Sequence, residues 1–115
     1  MYSVLIVDDE EWVVESLKNG IAWADYGFVV VDHAYDGAEA LQKVRKLRPD
    51  LVFTDIRMPV MGGLDLIRQV RRDKLQVEFV VVSGYAEFAY AQKALHYGVM
   101  GFCLKPAEDA EVNAV

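Results

Sequence analysis

Four short apolar runs in this sequence are followed directly by polar side chains that could do chemistry. These polar residues are Asp8 and Asp9, Asp55, Ser83, and Lys105. Carboxylates, a hydroxyl and an ammonium group together can hold a divalent cation and a phosphoryl group beside a nucleophilic oxygen. No single member of this set is specific, so its weight depends on whether the fold brings the members to one place.

Asp55 ends a run that has the pattern of an inner strand. The apolar residues 51–53 before it predict a strand covered on both faces. Pro59 lacks an N–H and Gly62-Gly63 permit positive φ, so the chain must turn after Asp55. Ligands bind at that edge of an open α/β sheet, and we expect Asp55 to be presented there rather than buried. On position alone, a solvated loop Asp or a helix cap explains Asp55 equally well.

Strands and helices alternate along the whole chain. Apolar runs predict strands over 4–7, 28–31, 51–53, 77–82 and 101–104, and helical spacing predicts helices over 11–19, 38–47, 64–72 and 86–97. Connections this short predict a parallel sheet with helices on both faces. The segment 107–115 is shorter than a fifth covering helix should be, so we expect the chain to be cut at its C-terminus.

Composition excludes several classes of protein. A chain of 115 residues with 54% hydrophobic and 26% charged residues is typical of one globular domain. It has no apolar run near the roughly 20 residues of a membrane span and no basic N-terminal leader, which predicts a cytoplasmic protein. The single Cys103 is expected to be a buried thiol. The net charge of −6 argues against direct nucleic-acid binding by this domain.

Each polar position also has a plainer explanation. Residues 8–11 could be an N-cap with an acidic first turn, Ser83-Gly84 a simple turn, and Lys105-Pro106 a solvated strand exit. Taken singly, each of these explanations is the stronger one. The carboxyl ends of parallel strands meet at one edge of the sheet, however, so the joint placement favours the chemical interpretation.

The chain resembles the receiver domain of two-component response regulators over essentially its whole length. The matching motifs are Leu5-Ile6-Val7-Asp8-Asp9-Glu10, Asp55-Ile56-Arg57-Met58-Pro59, Ser83-Gly84 and Leu104-Lys105-Pro106. The resemblance implies a flavodoxin-like, doubly wound, five-stranded parallel sheet in the order 2-1-3-4-5 with helices on both faces. Residues 1–115 would then form one receiver domain, with a truncated last helix and an output domain outside this chain.

The same resemblance implies the chemistry of the site. Asp55 would be the phosphoacceptor, taking a phosphoryl group from a phosphohistidine of a sensor histidine kinase. Asp9 and Asp55 would bind Mg²⁺ directly, Asp8 would act through water, and the backbone carbonyl of Arg57 would be a further ligand. Lys105 would supply a mobile positive charge to a phosphoryl oxygen.

The resemblance also implies a switch. The hydroxyl of Ser83 would move toward the phosphoryl group, and the ring of Phe102 would turn inward after it. Arg57 and Tyr85 would modulate how long the phosphoryl group survives. The Lys105-Pro106 peptide bond would be cis.

The run 83–91 is similar to receivers joined to AraC-type helix-turn-helix output domains. It implies a DNA-binding output domain in the full-length protein and control of transcription, and the family allows a phosphorylation-dependent homodimer. The chain is accordingly expected to be a signalling domain that promotes its own phosphorylation and dephosphorylation, and not an enzyme.

Three other interpretations stay open. A haloacid-dehalogenase-like Mg²⁺-dependent phosphatase would need a second Asp where the chain has Arg57. A flavodoxin-like cofactor module would need phosphate-binding N–H groups where residues 8–11 are acidic. A degenerate receiver would signal without phosphorylation. Trp12 and Trp23 are expected to be packing residues.

Overall fold

The sheet has five parallel strands in the spatial order β2-β1-β3-β4-β5. The structure is a computed structural model that describes residues 1–83 and 98–104, with side chains through 82 and over 98–101. The strands are β1 (Tyr2–Val7), β2 (Phe28–Ala34), β3 (Leu51–Asp55), β4 (Glu78–Ser83) and β5 (Gly101–Leu104). The predicted flavodoxin-like sheet and its strand order are confirmed.

Three α-helices and one short 3₁₀ helix connect these strands in the described part of the chain. They are α1 (Glu11–Gly20), the 3₁₀ helix (Trp23–Tyr26), α2 (Gly37–Leu47) and α3 (Gly63–Arg72). Within residues 1–83 and 98–104, no helix combines the length and the apolar character that a membrane crossing requires. The helix predicted over 86–97 and the segment 107–115 lie outside the described residues.

Alternate residues of β1 pack on opposite faces of the sheet. Val4 and Ile6 belong to an apolar cluster with α1, whereas Leu5 and Val7 belong to a second cluster with α2 and α3. Successive side chains of a strand point to opposite faces, so a continuous apolar run is what a strand between two helical layers requires. The helices therefore cover both faces, as the sequence predicts.

β2 is longer than its apolar run predicts. It continues past Val31 to Ala34 because β1 provides a pairing partner as far as Val7. The pairing passes from Val30 to Asp32, which leaves Val31 in a bulge of this edge strand. Backbone pairing has therefore outweighed the low strand preference of Asp32.

The two tryptophans differ in environment. Trp23 is buried, and its Nε1 donates a hydrogen bond to the Leu17 carbonyl at 3.0 Å. The expectation that Trp12 is a packing residue is wrong, since it is 62% exposed and donates to Glu10 Oε2 at 2.8 Å. The inward positions of α1 are occupied by Val13, Val14 and Leu17. Trp12 lies on the other side of that helix.

Candidate functional site

The ends of β1 and β3 bring three carboxylates together. These strands are neighbours in parallel register, with Val7 opposite Thr54, so the residues after β1 lie beside the last residue of β3. One carboxylate oxygen from each of Asp8, Asp9 and Asp55 lies within 4.8 Å of the other two. The acidic part of the predicted constellation is therefore present at the carboxyl edge of the sheet.

Asp55 is buried, which corrects the expectation that it is presented to solvent. It is 4% exposed and Asp8 is 1% exposed, whereas Asp9 is exposed. Asp55 lies in an inner strand that pairs with β4 as far as Val82, and the chain folds back over the end of β3. Gly63 closes this return by donating its N–H to the Ile56 carbonyl at 2.7 Å.

Backbone amides orient the two buried carboxylates. Asp55 Oδ1 accepts a hydrogen bond from the Ile56 N–H at 2.8 Å. Asp8 Oδ1 accepts one from the Glu10 N–H at 2.9 Å. Hydrogen bonds from a backbone this close in sequence restrict side-chain rotation, so both carboxylates are held before any ligand arrives.

The donor set fits a hard divalent cation. Carboxylates about 4 Å apart repel by roughly 4 kcal/mol per pair at an effective dielectric constant near 20. A cation among Asp8, Asp9 and Asp55 would replace this repulsion by attraction. The cluster offers only oxygen ligands, which is the preference of Mg²⁺ and Ca²⁺ and not of soft metals.

A family model described as the response regulator receiver domain matches residues 4–115. The chain belongs to this family. Receiver domains are signalling domains, and the phosphatase and cofactor-module interpretations receive no comparable support.

Similar proteins span a range of bacteria. The uncharacterized transcriptional regulatory protein YesN of Bacillus subtilis is 38% identical over 112 residues, which are 97% of this chain and 30% of YesN. The receiver domain of AraT, a response regulator from Geobacillus stearothermophilus, superposes with a TM-score of 0.91 at 36% identity, covering 98% of this chain and 88% of that one. A Borrelia burgdorferi CheX-CheY-BeF3-Mg²⁺ complex gives a TM-score of 0.86 at 29% identity, covering 98% and 84% of the two chains. The chain spans less than half the length of the curated relatives it matches.

Close backbone approach explains the two glycines in the loop that follows Asp55. A Cβ on Gly63 would lie 2.0 Å from the Asp55 carbonyl oxygen, and one on Gly62 would lie 2.8 Å from the Ile56 carbonyl oxygen. Neither glycine has positive φ, although the sequence permits it at both positions. The left-handed residue of the loop is Val60, with φ of 70°.

Arg57 lies on the exposed side of the loop between β3 and α3. Arg57 lines an open cavity of about 300 Å³ beside α3. The remaining residues that line this cavity are Ile56, Met58, Gly62, Leu64, Asp65 and Arg68. Among the described residues that line this cavity, none is a member of the acidic cluster of Asp8, Asp9 and Asp55.

The rest of the predicted receiver site falls on residues that are not described. Tyr85, Lys105 and Pro106 lie outside the described residues, as do the side chains of Ser83 and Phe102. The backbone of Ser83 is described as the end of β4, one position beyond the residue that pairs with Asp55. The roles given to these five residues stay predictions.

The contact between α2 and the loop after β3 has no signal in the sequence pattern. The Gly37 N–H donates to the Met61 carbonyl at 2.9 Å. The pair Asp36-Gly37 is typical of a helix start, and the Asp36 side chain does cap α2 by accepting a hydrogen bond from the Glu39 N–H at 2.8 Å. Nothing in the local pattern indicates that Gly37 also contacts a loop 24 positions further along the chain.

Proposed function

We propose that this receiver domain accepts a phosphoryl group on Asp55 from a phosphohistidine of a sensor histidine kinase. The observation that carries the proposal is the convergence of Asp8, Asp9 and Asp55 within 4.8 Å at the carboxyl edge of the sheet. Asp55 is the buried member that ends an inner strand. Asp55 offers a nucleophilic oxygen, and the neighbouring Asp8 and Asp9 offer oxygens that could bind a cation.

The transfer exchanges one phosphorus bond for another. A carboxylate oxygen of Asp55 attacks phosphorus, the bond between phosphorus and the imidazole nitrogen breaks, and the electron pair leaves with the histidine. An acyl phosphate forms on Asp55. The hydrogen bond from the Ile56 amide supports this step because it holds the carboxylate in one orientation and so reduces the entropy lost on the way to the transition state.

Mg²⁺ is the proposed cation. Asp9 and Asp55 would bind it directly, Asp8 through water, and Arg57 through its backbone carbonyl. When bound, Mg²⁺ would neutralise charge on the phosphoryl oxygens. Two observations support the choice: the oxygen-only donor set and the presence of Mg²⁺ in the similar CheX-CheY-BeF3-Mg²⁺ complex.

The proposal gives the remaining site residues their roles from the family pattern. Lys105 and Ser83 would contact phosphoryl oxygens, and Phe102 would pack inward as Ser83 moves. Tyr85 and Arg57 would modulate the lifetime of the acyl phosphate, and the Lys105-Pro106 bond would be cis. The pairing of Ser83 with Leu104, the residue before Lys105 in the sequence, supports this scheme.

In the whole protein, phosphorylation would control an output domain. YesN is named as a transcriptional regulatory protein and is more than three times as long as the matched segment. A DNA-binding output domain of AraC type, a cytoplasmic location and a phosphorylation-dependent homodimer fit this scheme. The net charge of −6 argues against DNA contact by the receiver and so supports DNA contact by the output domain.

Acetyl phosphate and Mg²⁺ provide the direct test. We expect the wild-type domain to gain one phosphoryl group by intact mass and an Asp55→Asn variant to gain none. An equal gain by the variant would move the acceptor elsewhere. No gain by a folded wild-type domain that binds Mg²⁺ would identify a degenerate receiver.

A further inference from the structure

The loop that follows the phosphoacceptor is closed at its base against β3. The Gly63 N–H donates to the Ile56 carbonyl at 2.7 Å, and the Cα of Gly63 approaches so closely that a Cβ would lie 2.0 Å from the Asp55 carbonyl oxygen. Residues 56–62 therefore form a closed loop, and its C-terminal end returns to the backbone of Asp55 and Ile56. The base of the loop is thus in direct contact with the backbone of Asp55 and Ile56.

The far side of the same loop is held by the first residue of α2. The Gly37 N–H donates to the Met61 carbonyl at 2.9 Å. A Cβ on Gly37 would lie 2.3 Å from that carbonyl oxygen and 2.8 Å from Met61 Cγ. Real Cβ atoms do not come this near to a backbone oxygen, so the contact requires glycine and would open with any other residue.

The amino end of α2 is itself firmly held. Asp36 Oδ1 accepts from the Glu39 N–H at 2.8 Å, and Glu39 Oε1 accepts in return from the Tyr35 N–H at 2.7 Å. This reciprocal arrangement resembles a capping box, displaced by one residue at the N-terminal side. A Cβ at position 37 would consequently displace the loop rather than the helix.

The backbone of the loop shows that it is under constraint. Val60 has φ of 70°, which is an outlier for a β-branched residue, and its side chain is 85% exposed. An exposed side chain gains little packing energy, so the conformation must be imposed by the backbone contacts on either side of Val60. Strain of this kind persists only where the surroundings determine the backbone, and it is concentrated at functional loops.

We propose that Gly37 is a positioning residue for the phosphoacceptor loop. Its N–H holds the Met61 carbonyl, and the absence of a side chain lets α2 approach closely enough to fix residues 56–62, including the Arg57 carbonyl proposed as a Mg²⁺ ligand. The inference rests on the proposed function of Asp55 for its consequence in phosphoryl transfer, but the contact itself can be tested separately.

Gly37→Ala is the test variant, and Gly20→Ala is its matched control. Both substitutions add one methyl group at a helix end, but a Cβ on Gly20 meets no atom within 4 Å. We expect Gly37→Ala to bind Mg²⁺ more weakly, as measured by calorimetric titration. We also expect it to accept a phosphoryl group from acetyl phosphate about 10 to 100-fold more slowly, as for a displacement near 1 Å. Gly20→Ala should match the wild type in both measurements.

Amide hydrogen exchange gives a readout that does not depend on phosphorylation. The Gly63 amide should exchange faster in Gly37→Ala than in Gly20→Ala. If Gly37→Ala does not fold, Asp36→Ala tests the same contact more mildly by removing the cap of α2, with several-fold weaker Mg²⁺ binding expected. A wild type that takes no phosphoryl group would refute the proposed function, and the exchange rates would still decide the inference. Equal exchange rates and equal Mg²⁺ affinities in the two glycine variants would overturn it.

Discussion

Individual carboxylates in this receiver are placed at a cost to the folded state. Asp8 and Asp55 are buried next to each other and to Asp9, and burial strengthens repulsion between like charges. Stability given up at such a site is recovered when a cation binds, because a ligand that binds only the folded state stabilises it by mass action. The acidic cluster should therefore link cation binding to stability.

Asp55→Asn should stabilise the metal-free domain. The amide oxygen can still accept from the Ile56 N–H, while one buried charge is removed, so we expect the free energy of unfolding in urea to rise by about 1 to 2 kcal/mol. The increase in the free energy of unfolding on adding Mg²⁺ should be smaller in the variant than in the wild type. Asp65→Asn is the control, because that carboxylate is 60% exposed in a helix-surface ion pair with Arg68. A destabilised metal-free Asp55→Asn would contradict the prediction.

Asp32 shows the opposite balance on the outer strand β2. Burial acts to raise the pKa of Asp32, but the His33 amide at 2.7 Å and the Lys43 ammonium at 3.3 Å favour the charged form more, so the pKa lies below its usual value. The folded state thus favours the charged form, and the resulting stabilisation is present at neutral pH and lost as pH falls through the lowered pKa.

Asp32→Asn should accordingly cost stability at pH 7 and cost little at acid pH. The carboxylate is partly exposed, so we expect a loss of about 0.5 kcal/mol at neutral pH. Urea unfolding of both proteins at pH 7 and near pH 3 checks this. A difference that does not change between the two pH values would show that the charge of Asp32 is irrelevant to its contribution.

At the scale of elements, the loop between β3 and α3 conflicts with its own local preferences. Val60 is a β-branched residue in the left-handed region, where Asn or Gly is the ordinary choice. Gly62 and Gly63 follow it, yet they are needed for close approach to β3 and not for positive φ. The loop that follows Asp55 therefore contains a residue in an unfavourable backbone conformation.

Val60→Asn should stabilise the domain by about 1 kcal/mol, because Asn adopts positive φ more readily and the exposed valine loses little packing. The control is Val29→Asn, the same replacement at a 42% exposed position in β2. It should destabilise the domain, because Asn is disfavoured in strands. Urea midpoints that move in the same direction for both variants would refute the assignment of strain to Val60.

At the scale of the whole molecule, the two faces of one sheet serve two helical layers, and the site lies where the strands end. Arg71 of α3 contacts residues near β4 and β5, on the side of the sheet away from β2. It donates to the Val77 carbonyl at 2.7 Å and to the Gly98 carbonyl at 3.1 Å, and its guanidinium lies 5.4 Å from the centre of the Phe79 ring. One side chain thus joins α3, the start of β4 and the segment before β5.

Arg71→Lys should lower the free energy of unfolding by about 1 to 2 kcal/mol, because a single ammonium cannot reproduce a planar fork with two acceptors. Arg68→Lys is the matched control, since the Arg68 side chain is 51% exposed and pairs only at the helix surface in the described contacts. A thermal unfolding midpoint that is equal in the two variants would argue against the connecting role of Arg71.

The element types and the acidic cluster were accessible from the sequence because they depend on local signals. Apolar runs, helical spacing and the breakers around Asp55 predicted the strands and α-helices of the described part, with ends that differ by at most three residues, but they did not predict the 3₁₀ helix. Alternating strands and helices leave few topologies, so the carboxyl ends that carry Asp8, Asp9 and Asp55 had to meet at one edge. The strand order came from the family resemblance.

The tertiary structure alone decided the features that depend on distant neighbours. The burial of Asp55 follows from strands on both sides and from a returning loop, and the outward face of Trp12 follows from which side of α1 meets the sheet. The contact of Gly37 with Met61 and the positive φ of Val60 arise where two remote turns meet. Local sequence determines what each segment prefers, but packing between segments determines which preference is overridden, and here that occurs in the loop that follows Asp55.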